Sequence, residues 1–405
     1  MTEQDVEPMI ETRSDGVTAV IDKSSGKRIL VVSTFPPTQC GIATFTRALL
    51  TSASDSDEIR STWRVARLVP EGDNSICLAP EMVVEVDPGS VDWAEEIADL
   101  CHDYDLLWIQ HEYGIFGPDD GARVLELCAL APIPVVVTVH TVPADPTPHQ
   151  REILEEMGRL AARIVVMSNE ARRRLVRLYA IDAGNVEVIP HGATVLSVRV
   201  APPPPGQSLN ILNWGLIGPG KGLEWAIRSL PLLRHLEVPP RLVITGATHP
   251  NVRRREGEAY RDHLMTLASD LGVEAQVEME DRYLPMEDLN ERIRAAHIAL
   301  LPYDSREQVT SGVLVEALAA GLPVIATAFP HAVETLSGGA GVIVPHRDPP
   351  AIARAIDRFA TNPAALVNAA SYARRIGLRF SWPRVAARYD VIATGEIKNS
   401  ALTLS

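Results

Sequence analysis

The chain has 405 residues, enough for two domains of ordinary size with separate cores, and its 46% hydrophobic content supports a globular protein. A formal net charge of −14 argues against nucleic acid as a main partner, because phosphate backbones need a net basic face. No uninterrupted apolar stretch reaches bilayer length, and Cys40, Cys77, Cys101 and Cys128 lack metal-ligand spacing, so the expectation is a cytoplasmic protein with reduced thiols and no zinc site.

Residues 1–26 are acidic and polar, have no signal-peptide core, and are expected to form a flexible tail. Arg28–Ser33 reads as a buried strand, followed by a loop to Thr44 and a helix around Phe45–Ser52. In that loop Gly41 would let the backbone approach a ligand closely. The strand Leu106–Gln110 delivers His111, Glu112 and Tyr113 to a sheet edge, and Val135–Val139 delivers His140 to the same edge. A lone histidine is more often structural, but polar groups stationed after apolar strands are where α/β proteins keep their chemistry.

Residues 150–163 form an amphipathic pattern, and Ile164–Met167 reads as a strand. Ser168 caps a helix carrying Arg172, Arg173, Arg174 and Arg177, which reads as a solvated face; peripheral contact with anionic lipid is possible but not favoured. Val186–Ile189 ends the first half in the turn Pro190–Gly192, and the four prolines within 201–208 make a stiff connector.

The second half opens with a strand, Asn210–Trp214, and a loop in which Gly218, Gly220 and Gly222 surround Lys221. Such a loop offers backbone N–H groups and a mobile positive charge to an anion. The spacing from Gly215 fits a phosphate-binding Walker loop, but Gly222 stands where a metal-ligating Ser or Thr is needed. Arg241–Thr245 is a strand, and a polar helix follows near 257–271.

The stretch from Ala299 to Ala326 carries most of the functional signal. It reads as a strand, a polar loop, a helix from about Gly312 to Ala320 with Thr310 or Ser311 as N-cap and Gly321 as stop, and a second strand. This βαβ unit puts the helix N-terminus, with Ser311, Gly312 and Val313, at the ligand-binding edge of a parallel sheet. Glu316, one turn in, can accept hydrogen bonds from the vicinal hydroxyls of a sugar. Helices at 349–360, 364–378 and 384–394 follow, and residues from 396 are expected to fray.

The stretch Glu316-Ala317 with Gly321-Leu-Pro-Val324 resembles the signature of the retaining glycosyltransferases of family 4, whose usual pattern is Glu-x7-Glu. Gln308 stands at the first Glu position with Glu307 beside it, which looks like a subgroup variant. Lys221-Gly222 is similar to the family's diphosphate clamp, with Leu216 at the place of its arginine. The resemblance spans about residues 28–395 and implies an α/β protein of GT-B architecture, two Rossmann-like doubly wound domains facing across a cleft. The implied divisions are 27–200 for the acceptor-side domain, 201–208 for a linker, 209–380 for the nucleotide-sugar domain, 381–395 for a helix crossing back, and 396–405 for a frayed tail.

The implied activity is transfer of a hexose, with retention, from a nucleotide sugar such as GDP-mannose or UDP-glucose to a carbohydrate or glycolipid acceptor. By resemblance, His140, Lys221 and Gln308 are catalytic, and Gly41, Gly218, Gly220, Lys221, Tyr283, Ser311, Gly312, Val313 and Glu316 bind the donor. His111, Glu112 and Tyr113 belong to the acceptor side. Neither cofactor nor metal is implied: the two Asp-x-Asp pairs, Asp55–Asp57 and Asp103–Asp105, sit after a helix and before a strand rather than at the ligand edge. A GT-B phosphorylase or epimerase is the alternative enzyme. A degenerate nucleotide-sugar sensor is the non-enzymatic alternative, motivated by Leu216 and Gln308.

Overall fold

The computed structural model describes residues 26–69, 72, 73, 75–196 and 198–403. The expected N-terminal tail, apart from Gly26, lies outside the described residues. A first sheet contains β1 (Arg28–Ser33), β2 (Thr62–Leu68), β3 (Met82–Val86), β4 (Leu106–His111), β5 (Val135–Val139), β6 (Arg163–Val166) and β7 (Val186–Val188). Its helices are α1 (Gly41–Ser54), α2 (Trp93–Leu100), α3 (Val124–Leu130), α4 (Pro148–Leu160) and α5 (Asn169–Leu178). The second sheet contains β8 (Asn210–Trp214), β9 (Arg241–Thr245), β10 (Val277–Glu280), β11 (Ile298–Leu301), β12 (Val324–Thr327) and β13 (Gly341–Val344). With it come α6 (Leu223–Ser229), α7 (Pro250–Glu256), α8 (Ala259–Asp270), α9 (Met286–Ala295), α10 (Gly312–Ala319), α11 (Pro330–Leu336), α12 (Pro349–Thr361), α13 (Pro363–Gly377) and α14 (Trp382–Thr403).

The strand orders are β3-β2-β1-β4-β5-β6-β7 and β10-β9-β8-β11-β12-β13, and every pair in both sheets is parallel. Each order reverses direction once, between β1 and β4 and between β8 and β11, which opens a crevice at the carboxyl ends of those strands. Strands buried on both faces give near-continuous apolar runs, and β1 shows the consequence. Leu30 and Val32 join the core on one face of the sheet while Ile29 and Val31 join the core on the other.

The last helix belongs to the first domain. Val385, Ala386, Tyr389, Ala393 and Ile397 recur at helical spacing and pack into the core that holds Ile29 and Val31. Tyr389 stacks on Trp108 of β4 with ring centroids 4.7 Å apart. The chain crosses back through a bridge between Ala193 and Ser381, where Trp382 packs so closely on Gly192 that any side chain there would overlap its indole. This helix runs to Thr403, correcting the expected fraying from 396: Glu396 is buried and receives two bonds from the Arg163 guanidinium, at 2.7 and 2.9 Å.

Further differences have local causes. The first helix begins at Gly41, not near Phe45, because the Cys40 sulfur accepts the Ala43 N–H and caps it there. The polar helix near 257–271 is two helices, α7 and α8, separated by Gly257 at φ +60°. Strands β2 and β3 have no counterpart in the sequence reading.

Candidate active site

The α10 helix stands at the second crevice as the sequence implies. The Ser311 hydroxyl caps it by accepting the Leu314 N–H, Thr310 does not, and Gly321 ends it at φ +80°. Its first-turn N–H groups at Gly312 and Val313 have no intrahelical acceptor. Lys221 N donates to Gly218 O at 3.2 Å, and Gly220 O accepts from Asp304 N at 3.0 Å, so the glycine loop is tied to the chain leaving β11. Gly222, at φ +65°, lies against the Pro302 carbonyl so tightly that a Cβ would overlap it. The Lys221 ammonium consequently rests 4.8 Å from the centroid of Tyr303, and burial holds its pKa below the usual lysine value.

Glu316 points back over the end of β8, where its carboxylate accepts the Trp214 indole N–H at 2.7 Å. Burial raises its pKa above the ordinary carboxylate value, and the Trp214 bond opposes that rise. His331 accepts the Ser311 N–H on Nδ1 at 2.9 Å and is buried, which pushes its pKa down to about 4. Gln308 Nε2 donates to Thr310 O at 3.0 Å. Its neighbour Glu307 turns to the first domain, accepting from Ala144 N at 3.2 Å and lying 3.1 Å from Arg174 Nη1.

Across the crevice, His140 receives a fixed setting from β4. Its backbone N–H donates to His111 O at 3.0 Å, its Nε2 lies 2.8 Å from Gln110 Oε1, and its ring meets Phe45 of α1 edge-on at 5.2 Å. Burial, with smaller contributions from His191 and His111, lowers its pKa to about 3. His191 packs on the same Phe45 at 5.0 Å and donates from Nδ1 to Gly192 O at 2.6 Å. Its Nε2 lies 3.0 Å from where a Cβ on Gly312 would be, so it bridges Phe45 and the α10 N-terminus. Tyr283 and Thr44 span the crevice with a hydroxyl pair at 2.9 Å. Gly41 is the first residue of α1 rather than a loop glycine, and a Cβ there would meet nothing.

The expected acceptor motif is only partly open. His111 is the last residue of β4, so strand alternation turns it into the core, where it stacks on Phe116 with both ring nitrogens unpartnered and its pKa pushed down to about 3. Tyr113 is buried with its hydroxyl donating to Gln150 O at 3.2 Å. Glu112 alone stays at the edge, accepting from Thr141 Oγ1 at 2.6 Å.

The arginine-rich α5 is not simply a solvated face. Arg172 donates to Val186 O and Ala183 O, while buried Arg174 donates to Val142 O at 2.9 Å and Glu307 O at 3.0 Å. At the start of the same helix, Glu334 of α11 accepts from Asn169 N, Asn169 Nδ2 and Glu170 N. The sequence reading did not single out Gln110, Trp214 or His191 as site residues, though Gln110 was visible as the polar end of an apolar strand; His331 lies in the stretch Phe329–Glu334, which resembles a family loop near the donor.

Among the described residues no group of three or more His, Cys, Asp and Glu could hold a metal, and no helix is long and apolar enough to cross a membrane. The two Asp-x-Asp pairs lie elsewhere: Asp55 caps the C-terminus of α1, and Asp105 accepts the Arg28 N–H at the amino end of β1.

Comparisons with known proteins bear on the family and the fold. Residues 209–362 match the family model for glycosyl transferases group 1, and residues 88–195 match that for glycosyltransferase family 4. A D-inositol 3-phosphate glycosyltransferase of Streptomyces coelicolor is 30% identical over 284 residues, covering 63% of this chain and 60% of that protein. A Mycolicibacterium gilvum protein of the same name is 28% identical and covers 72% and 65%. The chain thus spans under two thirds of the length of these relatives. Among solved structures, Anabaena HepE in complex with UDP has a TM-score of 0.71 at 16% identity, covering 91% of this chain and 100% of that one. A Rickettsia africae glycosyltransferase has a TM-score of 0.72 at 16% identity, covering 93% and 100%. The chain therefore has the GT-B fold, with a family 4 glycosyltransferase domain matched in its first half and a group 1 glycosyltransferase domain in its second.

Proposed function

We propose that the protein transfers a hexose from a nucleotide-diphosphate sugar to a hydroxylated, sugar-containing acceptor with retention of anomeric configuration and without a metal. The observation that carries this reading is the convergence, at one crevice, of Lys221, the N-terminus of α10 and Glu316, with His140 facing them across Phe45 and His191. Rupture of the anomeric bond loads negative charge onto the departing diphosphate. A half-buried ammonium and the N–H groups of Gly312 and Val313 stabilise that charge where it develops, and donors held in place do so without reorganisation.

Glu316, steered by Trp214, takes the ribose hydroxyls. Tyr283 lies by the base, and Gly218, Gly220 and Gly41 leave room for the donor. Gln308 and His140 hold the sugar, and a neutral amide with a neutral imidazole suits hydroxyl recognition better than covalent attack. The acceptor enters on the Glu112 side. Anabaena HepE has been crystallised with UDP-glucose, which makes that donor the first to try and GDP-mannose the second.

A panel of nucleotide sugars tested for thermal stabilisation and turnover checks the reading. It predicts stabilisation by one nucleotide diphosphate and its hexose conjugate, with turnover once acceptor is present. Binding without turnover across an acceptor panel would overturn it in favour of a sensor, and turnover with inorganic phosphate as acceptor would make the protein a phosphorylase.

A further inference from the structure

Resting on the donor-site reading above, we propose that Gln110 is a positioning residue that fixes His140 in a single tautomer, protonated at Nε2, so that Nδ1 is the acceptor offered to a hydroxyl of the donor sugar. Gln110 is the penultimate residue of β4, next to the topological switch point, and its Oε1 lies 2.8 Å from His140 Nε2. With its carboxamide oxygen facing the ring, Gln110 can only accept, which puts the proton of that bond on the imidazole; the reversed amide would donate from Nε2 and put the proton on Nδ1, and the tautomer measurement below decides between the two. The His140 backbone N–H is held by His111 O and the ring packs edge-on against Phe45 at 5.2 Å. Nδ1 has no hydrogen-bond partner among the described residues.

Gln110 is a costly choice for packing alone. It is fully buried in a strand that otherwise reads Leu-Leu-Trp-Ile, and its Nε2 finds no acceptor. A leucine would avoid that unsatisfied donor. The residue's one hydrogen bond goes to the imidazole of the proposed sugar-binding histidine, and the tautomer depends on it. The titratable groups acting on His140 are His111 from β4 and His191 from the turn after β7, both neutral near pH 7. No carboxylate competes with Gln110 for Nε2 among the described residues.

Full-length protein labelled with 15N-histidine, studied by long-range 1H–15N NMR, tests this directly, with His140→Ala identifying the signal. Wild type should show the Nε2–H tautomer alone, staying neutral to about pH 5. Gln110→Leu should give mixed tautomers. Gln110→Glu should keep the Nε2–H form while its carboxylate raises the His140 titration by about one pH unit or more. An Nδ1–H tautomer in wild type, or an unchanged tautomer in Gln110→Leu, overturns the proposal.

Thermal stabilisation by UDP-glucose compared with UDP separates this from the donor reading. Both Gln110→Leu and His140→Ala should lose the extra stabilisation due to glucose and keep that due to UDP. If only His140→Ala loses it, the positioning role is wrong and the donor reading stands. If His140→Ala keeps it, the donor reading of His140 is wrong, and the NMR result alone decides what Gln110 does to the ring.

Discussion

At residue scale the structure separates two neighbours that the sequence leaves ambiguous. Gln308 folds toward the α10 N-terminus through Thr310, while Glu307 reaches to Arg174 and Ala144 of the first domain. Gln308→Ala should therefore lower turnover, Gln308→Glu should keep much of it because the hydroxyl contact survives, and Glu307→Ala should leave the chemical step intact. Steady-state kinetics on the three variants, with melting curves to confirm folding, checks this; a dead Glu307→Ala beside a normal Gln308→Ala would reverse the assignment. Lys221→Ala should cost on the order of 2–4 kcal/mol in kcat/KM, the range for one charge-stabilising group in an enclosed site, and wild-type kinetics would remove Lys221 from the diphosphate.

Element scale shows why some of this was legible. The α10 helix carries its own boundaries, a capping serine and a left-handed glycine, so local chemistry announced it before any tertiary contact was known. Strand β2 carries no such label. It contains Arg67, which is fully buried and bonded to Phe35 O, Thr38, Asp73, Ser75 and Glu85, groups that only the fold assembles. His191 was equally hidden, because its significance lies in Gly312, 121 residues away in the other half of the chain (312 − 191).

The far end of α14 was underestimated for the same reason, since its anchor Arg163 lies in β6. Truncation after Gly395 removes Glu396 and the buried Ile397 and leaves Arg163 without its carboxylate. That should destabilise the first domain by roughly 3–5 kcal/mol, the usual cost of breaking a largely buried pair. Chemical denaturation measures it, and an unchanged midpoint would return those residues to the status of a frayed tail.

For the whole molecule, the two domains meet beside His140, His191 and His331, while His111 lies in the core of the first domain. His111 and His331 are buried, His140 and His191 are half-buried, and burial lowers all four pKa values to about 3–4, which leaves them neutral near pH 7. In the unfolded chain each titrates near ~6.5, so on acidification the unfolded state takes up protons first and the native state does not. The stability these residues contribute is complete above about pH 6.5 and is lost as pH falls toward 4. Calorimetry should show Tm dropping steeply across that window, and His111→Phe, which replaces an unsatisfied buried imidazole by an apolar ring, should flatten the drop. A Tm that stays level from pH 7 to pH 4.5 would contradict the burial of these histidines.

The central claim is metal-free, retaining transfer from a nucleotide sugar, and product stereochemistry in the presence of a chelator tests it most directly. UDP-glucose and GDP-mannose, each α-linked, are incubated with the protein, EDTA and an acceptor panel, and the new glycosidic linkage is read by NMR. The account predicts undiminished turnover in EDTA and an α-linked product. A β-linked product, or activity that vanishes with EDTA and returns with Mn²⁺ or Mg²⁺, would contradict it.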